Sequence, residues 1–148
     1  MLILLGFIFA IFMIAVVGSF SGSLGVVIDI PSLLIILVPL LFFLCVSKSG
    51  GIIWRYILSA TKKDNLQSKY ELKILAHATK SAVKFTLAMG IFGFMSGIIF
   101  ALGNLDSPEH LGPNIAVSLI TVLYAIVISS FVFFPTQIWA EHMIKEEQ

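Results

Sequence analysis

The amino-acid sequence predicts an all-α integral membrane protein with four transmembrane helices, both termini in the cytoplasm and the third and fourth helices extended into the cytoplasm. Three observations lead there. The 148 residues are 59% hydrophobic and 11% charged, with a mean hydropathy of +1.07, more apolar surface than one water-soluble core of this size can hide. The apolar residues form continuous blocks, long enough to cross a hydrocarbon layer of roughly 30 Å as helices and without the strict alternation of a barrel strand. All nine Lys and Arg lie between the second and third blocks or behind the fourth. By the positive-inside rule those two regions are cytoplasmic.

The first span is expected from about Leu2 to Val17. It has no basic leading region and no small-x-small cleavage site, so it is expected to stay as a helix rather than be removed as a signal. A Gly/Ser-rich turn, Gly18 to Gly25, follows, and then the short apolar stretch Val26 to Ile28. The second span opens at Asp29-Ile30-Pro31-Ser32, where an acid and a proline suit a first helical turn, and ends at Val46. Pro39 inside it predicts a kink, a hinge position. These two spans make up residues 1–47. Cys45 is the only cysteine and has no disulfide partner within the chain.

Residues 48–84 form a short basic cytoplasmic region. Its first part, Ile52 to Leu58, mixes aromatic and basic side chains and is expected along the headgroup layer, with Trp54, Tyr56 and, beyond the fourth span, Trp139 as interface anchors. From Leu66 no Gly or Pro occurs until Gly90, so the chain should run as unbroken helix into the third span, about Phe85 to Leu102. A connection from Gly103 to Gly112 is expected to turn the chain, and Pro113 to start the fourth helix at its first position. That helix should end near Pro135 to Trp139, a second hinge. The third and fourth spans together fill residues 85–139, and 140–148 is a cytoplasmic tail. Asp29, Asp106 and Glu109 fall on the opposite side, with no Lys or Arg.

No Asp, Glu, Lys, Arg or His stands in the middle of any predicted span. An ion carrier acting alone needs a titrating group at depth, so any ion-moving role requires a carboxylate from another polypeptide. What the spans offer is order among small residues. Asn114, Ser118, Thr121, Ala125 and Ser129 recur at helical spacing along the fourth span, and Gly90, Gly93 and Gly97, with Ser96 beside them, mark a close-packing surface on the third. Such stripes serve packing or line a path, and periodicity alone leaves both open. His77, His142 and Glu141 are separate and show neither metal-ligand nor triad spacing, which argues against an enzyme, a metal site or a cofactor. The basic region suits anionic lipid, and nothing in the pattern points to nucleic acid.

The segment Gly22-Ser23-Leu24-Gly25, then Asp29-Ile30-Pro31-Ser32-Leu33-Leu34-Ile35-Ile36, resembles the junction of the first two helices in MotA-type stator subunits. Gly90-Ile91-Phe92-Gly93 through Gly97, Leu102 to Pro108, and Gly112-Pro113-Asn114 through Tyr124 resemble the third and fourth helices of the MotA/TolQ/ExbB proton-channel family. Pro135 matches the proline near the inner end of the family's fourth helix. The resemblance implies a homo-oligomer, a pentamer, in the bacterial inner membrane. Its ring surrounds a single-span partner like MotB, TolR or ExbD, whose membrane aspartate carries the ion and whose periplasmic domain grips the envelope.

Departures accompany the match. Phe94 stands where the family has a threonine on the third helix, and Val122 where it has the more constant threonine of the fourth, leaving Thr121 alone. The basic region is much shorter than the loop with which flagellar stators touch their rotor, so the resemblance implies a compact envelope motor. Two expectations follow. In one, Ser96, Ser118, Thr121 and Ala125, with Phe94 and Val122, shape the path of an ion, protons being favoured over sodium because too few oxygens are offered to strip a metal ion. In the other, the chain is a non-conducting scaffold of the same family.

Overall fold

The computed structural model describes residues 2–20, 29–47, 50–53, 69–105 and 108–146, and every regular element among them is helical. In chain order these are α1 (Leu2–Phe20), α2 (Ile30–Val46), α3 (Lys69–Gly103), α4 (Pro108–Ile128), a π-helical turn (Ser129–Phe133) and α5 (Phe134–Glu146). Residues 50–53 form a short further piece of helix. Two helical stretches, Tyr70–Gly103 and Glu109–Lys145, are long and apolar enough to cross a membrane, and Ile30–Val46 is a shorter apolar helix. The Gly22 to Gly25 motif, Trp54, Tyr56 and Asp106 lie outside the described residues.

The α2 boundaries agree with the expectation from sequence, and the cause is visible at its start. Asp29 is the N-cap: its Oδ2 accepts a hydrogen bond from the Ser32 backbone N–H at 2.8 Å, satisfying one of the donors every helix leaves free at its first turn. Pro39 sits inside α2 without ending it. The long helix expected from Leu66 onward is α3, unbroken over 35 residues.

Three boundaries differ. Gly18 to Phe20 belong to α1 rather than to a turn. The connection between the last two long helices is only residues 104–107; α4 begins at Pro108, so Pro113 is an interior residue and not the first one. Its missing N–H leaves the Glu109 carbonyl without its helical donor, in an exposed first turn where other donors can serve it. The helical path also does not stop near Pro135 to Trp139 but continues to Glu146.

The π turn explains how. Pro135 can donate no hydrogen bond to the Phe131 carbonyl four residues earlier, and its ring would collide with that carbonyl in a regular α-helix. The helix widens over Ser129–Phe133 instead, with the Phe134 N–H bonded to the Ser129 carbonyl. The Phe131 carbonyl released in this way meets α1 at Gly6, where an added Cβ would overlap it. Only glycine allows that approach, and the Phe9 and Phe131 rings close the same contact at 4.9 Å.

Helices α3 and α4, with the π turn and α5, form one long antiparallel hairpin. Its seam is set by three glycines of α3. A Cβ on Gly90 would overlap the Ala125 side chain, one on Gly93 the Thr121 methyl, and one on Gly97 the Ser118 hydroxyl. Toward the open end the seam continues through buried Leu75, Ala82, Val132, Phe133 and Ala140. Helix α2 packs on both arms, with Phe43 stacked on Phe85 at 4.6 Å, whereas α1 lies mainly on the π turn.

Two substitutions test these contacts. Gly6→Ala should cost about 1–3 kcal/mol, the usual penalty for forcing atoms into a filled site, read as a lower melting temperature of the purified protein in detergent. Gly93→Val should cost at least as much and separate α3 from α4, whereas Gly112→Ala, inside α4 with nothing within 4 Å of the added Cβ, should leave the melting temperature no lower and raise it slightly, since alanine favours the helix over glycine.

Candidate functional site

Near the turn end of the hairpin, α2, α3 and α4 enclose a half-open cleft of about 390 Å³. Ser96, Gly97 and Asn104 contribute from α3 and the turn after it, Asn114, Ser118 and Thr121 from α4, and Ile35 from α2. Every one of these is uncharged. The arrangement brings together four residues singled out from sequence, Ser96, Asn114, Ser118 and Thr121, with two of the three glycines, Gly93 and Gly97.

The hydroxyls are held mostly by their own helices. Ser96 Oγ donates to the Phe92 carbonyl at 2.9 Å and Ser118 Oγ to the Asn114 carbonyl at 2.7 Å, the back-bonding that lets a hydroxyl sit in an apolar helix. Thr121 Oγ1 lies 3.0 Å from both the Val117 carbonyl and Ser32 Oγ. Its single proton serves one of them at a time. Ser32 in turn donates to the Val117 carbonyl at 3.3 Å. Ser118 and Thr121 are each 1% exposed, so what they turn toward the cleft is a thin edge.

One turn further on, the backbone N–H of Asp29 donates to the buried Tyr124 hydroxyl at 3.0 Å. Tyr124 therefore ties the start of α2 to α4, while the Asp29 carboxylate is engaged in capping. Ser32 was not anticipated as a site residue. A capping Asp marks the start of α2 and so puts Ser32 in its first turn, but the side it turns toward α4 is set by helix packing and not by the cap.

The remaining predicted residues are placed elsewhere. Ala125 is buried against Gly90 in the seam, 1% exposed and not among the cleft residues. Phe94 and Val122 are half-buried and line the cleft in neither case. Neither Pro39, one turn beyond Ile35 on α2, nor Pro135 at the start of α5 is among the cleft residues. Asn104 joins the site unexpectedly, its Nδ2 bonded to the Phe100 carbonyl at 2.8 Å. Among the described residues no group of three or more His, Cys, Asp or Glu could hold a metal ion.

Neutral, hydroxyl-edged and open on one side, this cleft can contact a helix or lead water, but it has no group that takes up and releases a proton. Comparison with known proteins puts that property in context. The stretch from residue 55 to residue 148, more than half of the chain, matches the model of the MotA/TolQ/ExbB proton channel family. Chemotaxis protein PomA of Vibrio alginolyticus is 46% identical over 48 residues, covering 32% of this chain and 19% of that protein. Motility protein A of Cereibacter sphaeroides is 37% identical over 76 residues, 47% of this chain and 30% of its own length. Motility protein A of Borreliella burgdorferi is 33% identical over 84 residues, 57% of this chain and 32% of its own. The chain thus spans between about a fifth and a third of the curated relatives it matches, and no solved structure matches it. With two long apolar helices, the glycine seam and every cleft residue but Ile35 inside the matched region, the chain belongs to the MotA/TolQ/ExbB proton channel family.

Proposed function

We propose that this chain is the channel-forming subunit of an ion-motive-force-driven motor, with copies ringed around a single-span partner that supplies the ion-carrying aspartate. The observation that carries the proposal is the neutrality of the cleft inside a proton-channel family member. A neutral wall cannot itself bind and release the ion, yet beside a protonated carboxylate it is a tolerable surface, since a neutral acid needs only hydrogen-bonding edges where a charged one needs water or a counterion. Ser96, Ser118 and Thr121 are the edges on offer.

The topology that fits is four spans with both termini in the cytoplasm, formed by α1, α2, α3 and the path from α4 through α5, in the bacterial inner membrane. It leaves the cleft toward the outer side, near the turn between α3 and α4. The assembly is a pentamer by analogy with the family. The basic residues before and within the first turns of α3 face the cytoplasm and its anionic lipid. Protons suit the cleft better than sodium, because Phe94 and Val122 offer no oxygen where the family has threonines, and too few oxygens converge to replace a metal ion's water.

A second reading has its own support. Phe94 and Val122 replace hydroxyl residues, and the hydroxyls that remain are satisfied within the chain, as a packing role alone would require. That is the arrangement of a scaffold that keeps the family's fold without conducting.

The two readings separate in reconstituted vesicles holding this chain with its single-span partner. A conducting subunit gives proton flux in the absence of sodium, and Asp→Asn in the partner's span abolishes it. Thr121→Val should then lower the flux by about tenfold, equivalent to losing one hydrogen bond of ordinary strength, roughly 1.4 kcal/mol, at the rate-limiting step. Flux that is absent from the start, or unaltered by both changes, favours the scaffold.

A further inference from the structure

The buried hydroxyls of this protein fall into two kinds. The hydroxyls of Ser32, Thr79, Ser118, Thr121 and Thr136 all donate hydrogen bonds to carbonyls. Thr86 and Ser129 do not: they are 0% and 3% exposed, and among the described residues neither hydroxyl has a hydrogen-bond partner. A buried hydroxyl left unsatisfied has lost its hydrogen bonds to water and is destabilising. Both residues sit in helices whose other buried threonines satisfy themselves by bonding to a carbonyl four residues earlier, Thr79 to Leu75 and Thr136 to Val132 at 2.8 Å each.

Their positions along the seam are related. Gly97 meets Ser118, Gly93 meets Thr121 and Gly90 meets Ala125, so each step of three or four residues down α3 matches a step of three or four up α4. Carried one step further, the same register puts Thr86 at the level of Ser129, where α3 packs on the π turn. Ser129 is also the first residue of the π turn, where the hydrogen-bond ladder changes register and backbone carbonyls are partly released. Two unsatisfied hydroxyls at one level of the seam, next to such a turn, supply the two to four polar partners that a buried water requires.

We propose that Thr86 and Ser129 form a binding site for a single water molecule between α3 and the π turn. The water accepts from one hydroxyl, donates to the other and has a further proton for a carbonyl of the turn. It lies roughly 10 Å along α3 from the level of Gly93, a separation of seven residues at 1.5 Å each. The close contact of Gly90 with Ala125 separates it from the cleft, so the site does not depend on whether the chain conducts. Its role is to hold the widened turn to α3 by a bridge that can be remade as the helices shift.

The test combines Thr86→Val, Ser129→Ala and the double substitution in the assembled protein with an experimental map of the unmodified complex in lipid, fine enough to resolve ordered water. Each single variant strands the other hydroxyl and should lower the melting temperature by about 2–8 °C, and the double variant should fall no further than the worse single. The map should show one density within hydrogen-bond distance of both hydroxyls. Single variants that melt at or above the unmodified temperature, or losses that simply add, overturn the proposal. So does a map with the two hydroxyls bonded directly to each other or turned back onto their own helices.

Discussion

The close approach of α3 and α4 is the constraint on which the rest of the structure depends. Lipid tails are as apolar as leucine side chains, so two helices gain little by burying Leu or Ile against each other in a membrane; they gain by fitting backbone to backbone and filling space. Gly90, Gly93 and Gly97 remove the side chains that would hold α3 off, and Ala125, Thr121 and Ser118 fill the grooves so opened. Adding even one methyl group at any of the three glycines brings it into an atom of α4.

That approach dictates the state of the hydroxyls. A threonine pressed against a glycine has no solvent to bond with, so Ser118 turns its proton onto a carbonyl of its own helix, Thr121 gives its proton to the Val117 carbonyl or to Ser32 Oγ, and Ser32 is drawn in from α2 to share that carbonyl. The cleft is what remains where the three helices diverge toward the turn end, and its neutrality follows from the same cause. At the other end of the fourth long helix, Pro135 forces a different accommodation. The π turn displaces a carbonyl outward, and α1 docks on it because Gly6 offers no side chain to obstruct it.

Much of this was legible in the sequence. The stripes on α3 and α4, the bounds of α2 and the unbroken run into α3 all follow from spacing and from the absence of Gly and Pro. What spacing could not decide was whether the hydroxyl stripe met the glycine stripe or turned away from it, because both are one face of a helix and only the rotation of one helix against the other pairs them. The π turn was hidden for a related reason. Pro135 announces a lost hydrogen bond, but whether a helix ends, kinks or widens there depends on what takes the freed carbonyl, and Gly6 lies more than a hundred residues away. Pro113 misled for a local reason, since Pro108 already opens the helix.

The most direct test of the account is the pairing of helix faces in an experimental structure of this protein assembled in lipid. The account predicts that Gly93 of each copy lies in van der Waals contact with Thr121 of that same copy, with Gly90 on Ala125 and Gly97 on Ser118 in the same register. Glycines of α3 that face another copy or open lipid, with Ser118 and Thr121 turned instead into a wide aqueous channel, would contradict it.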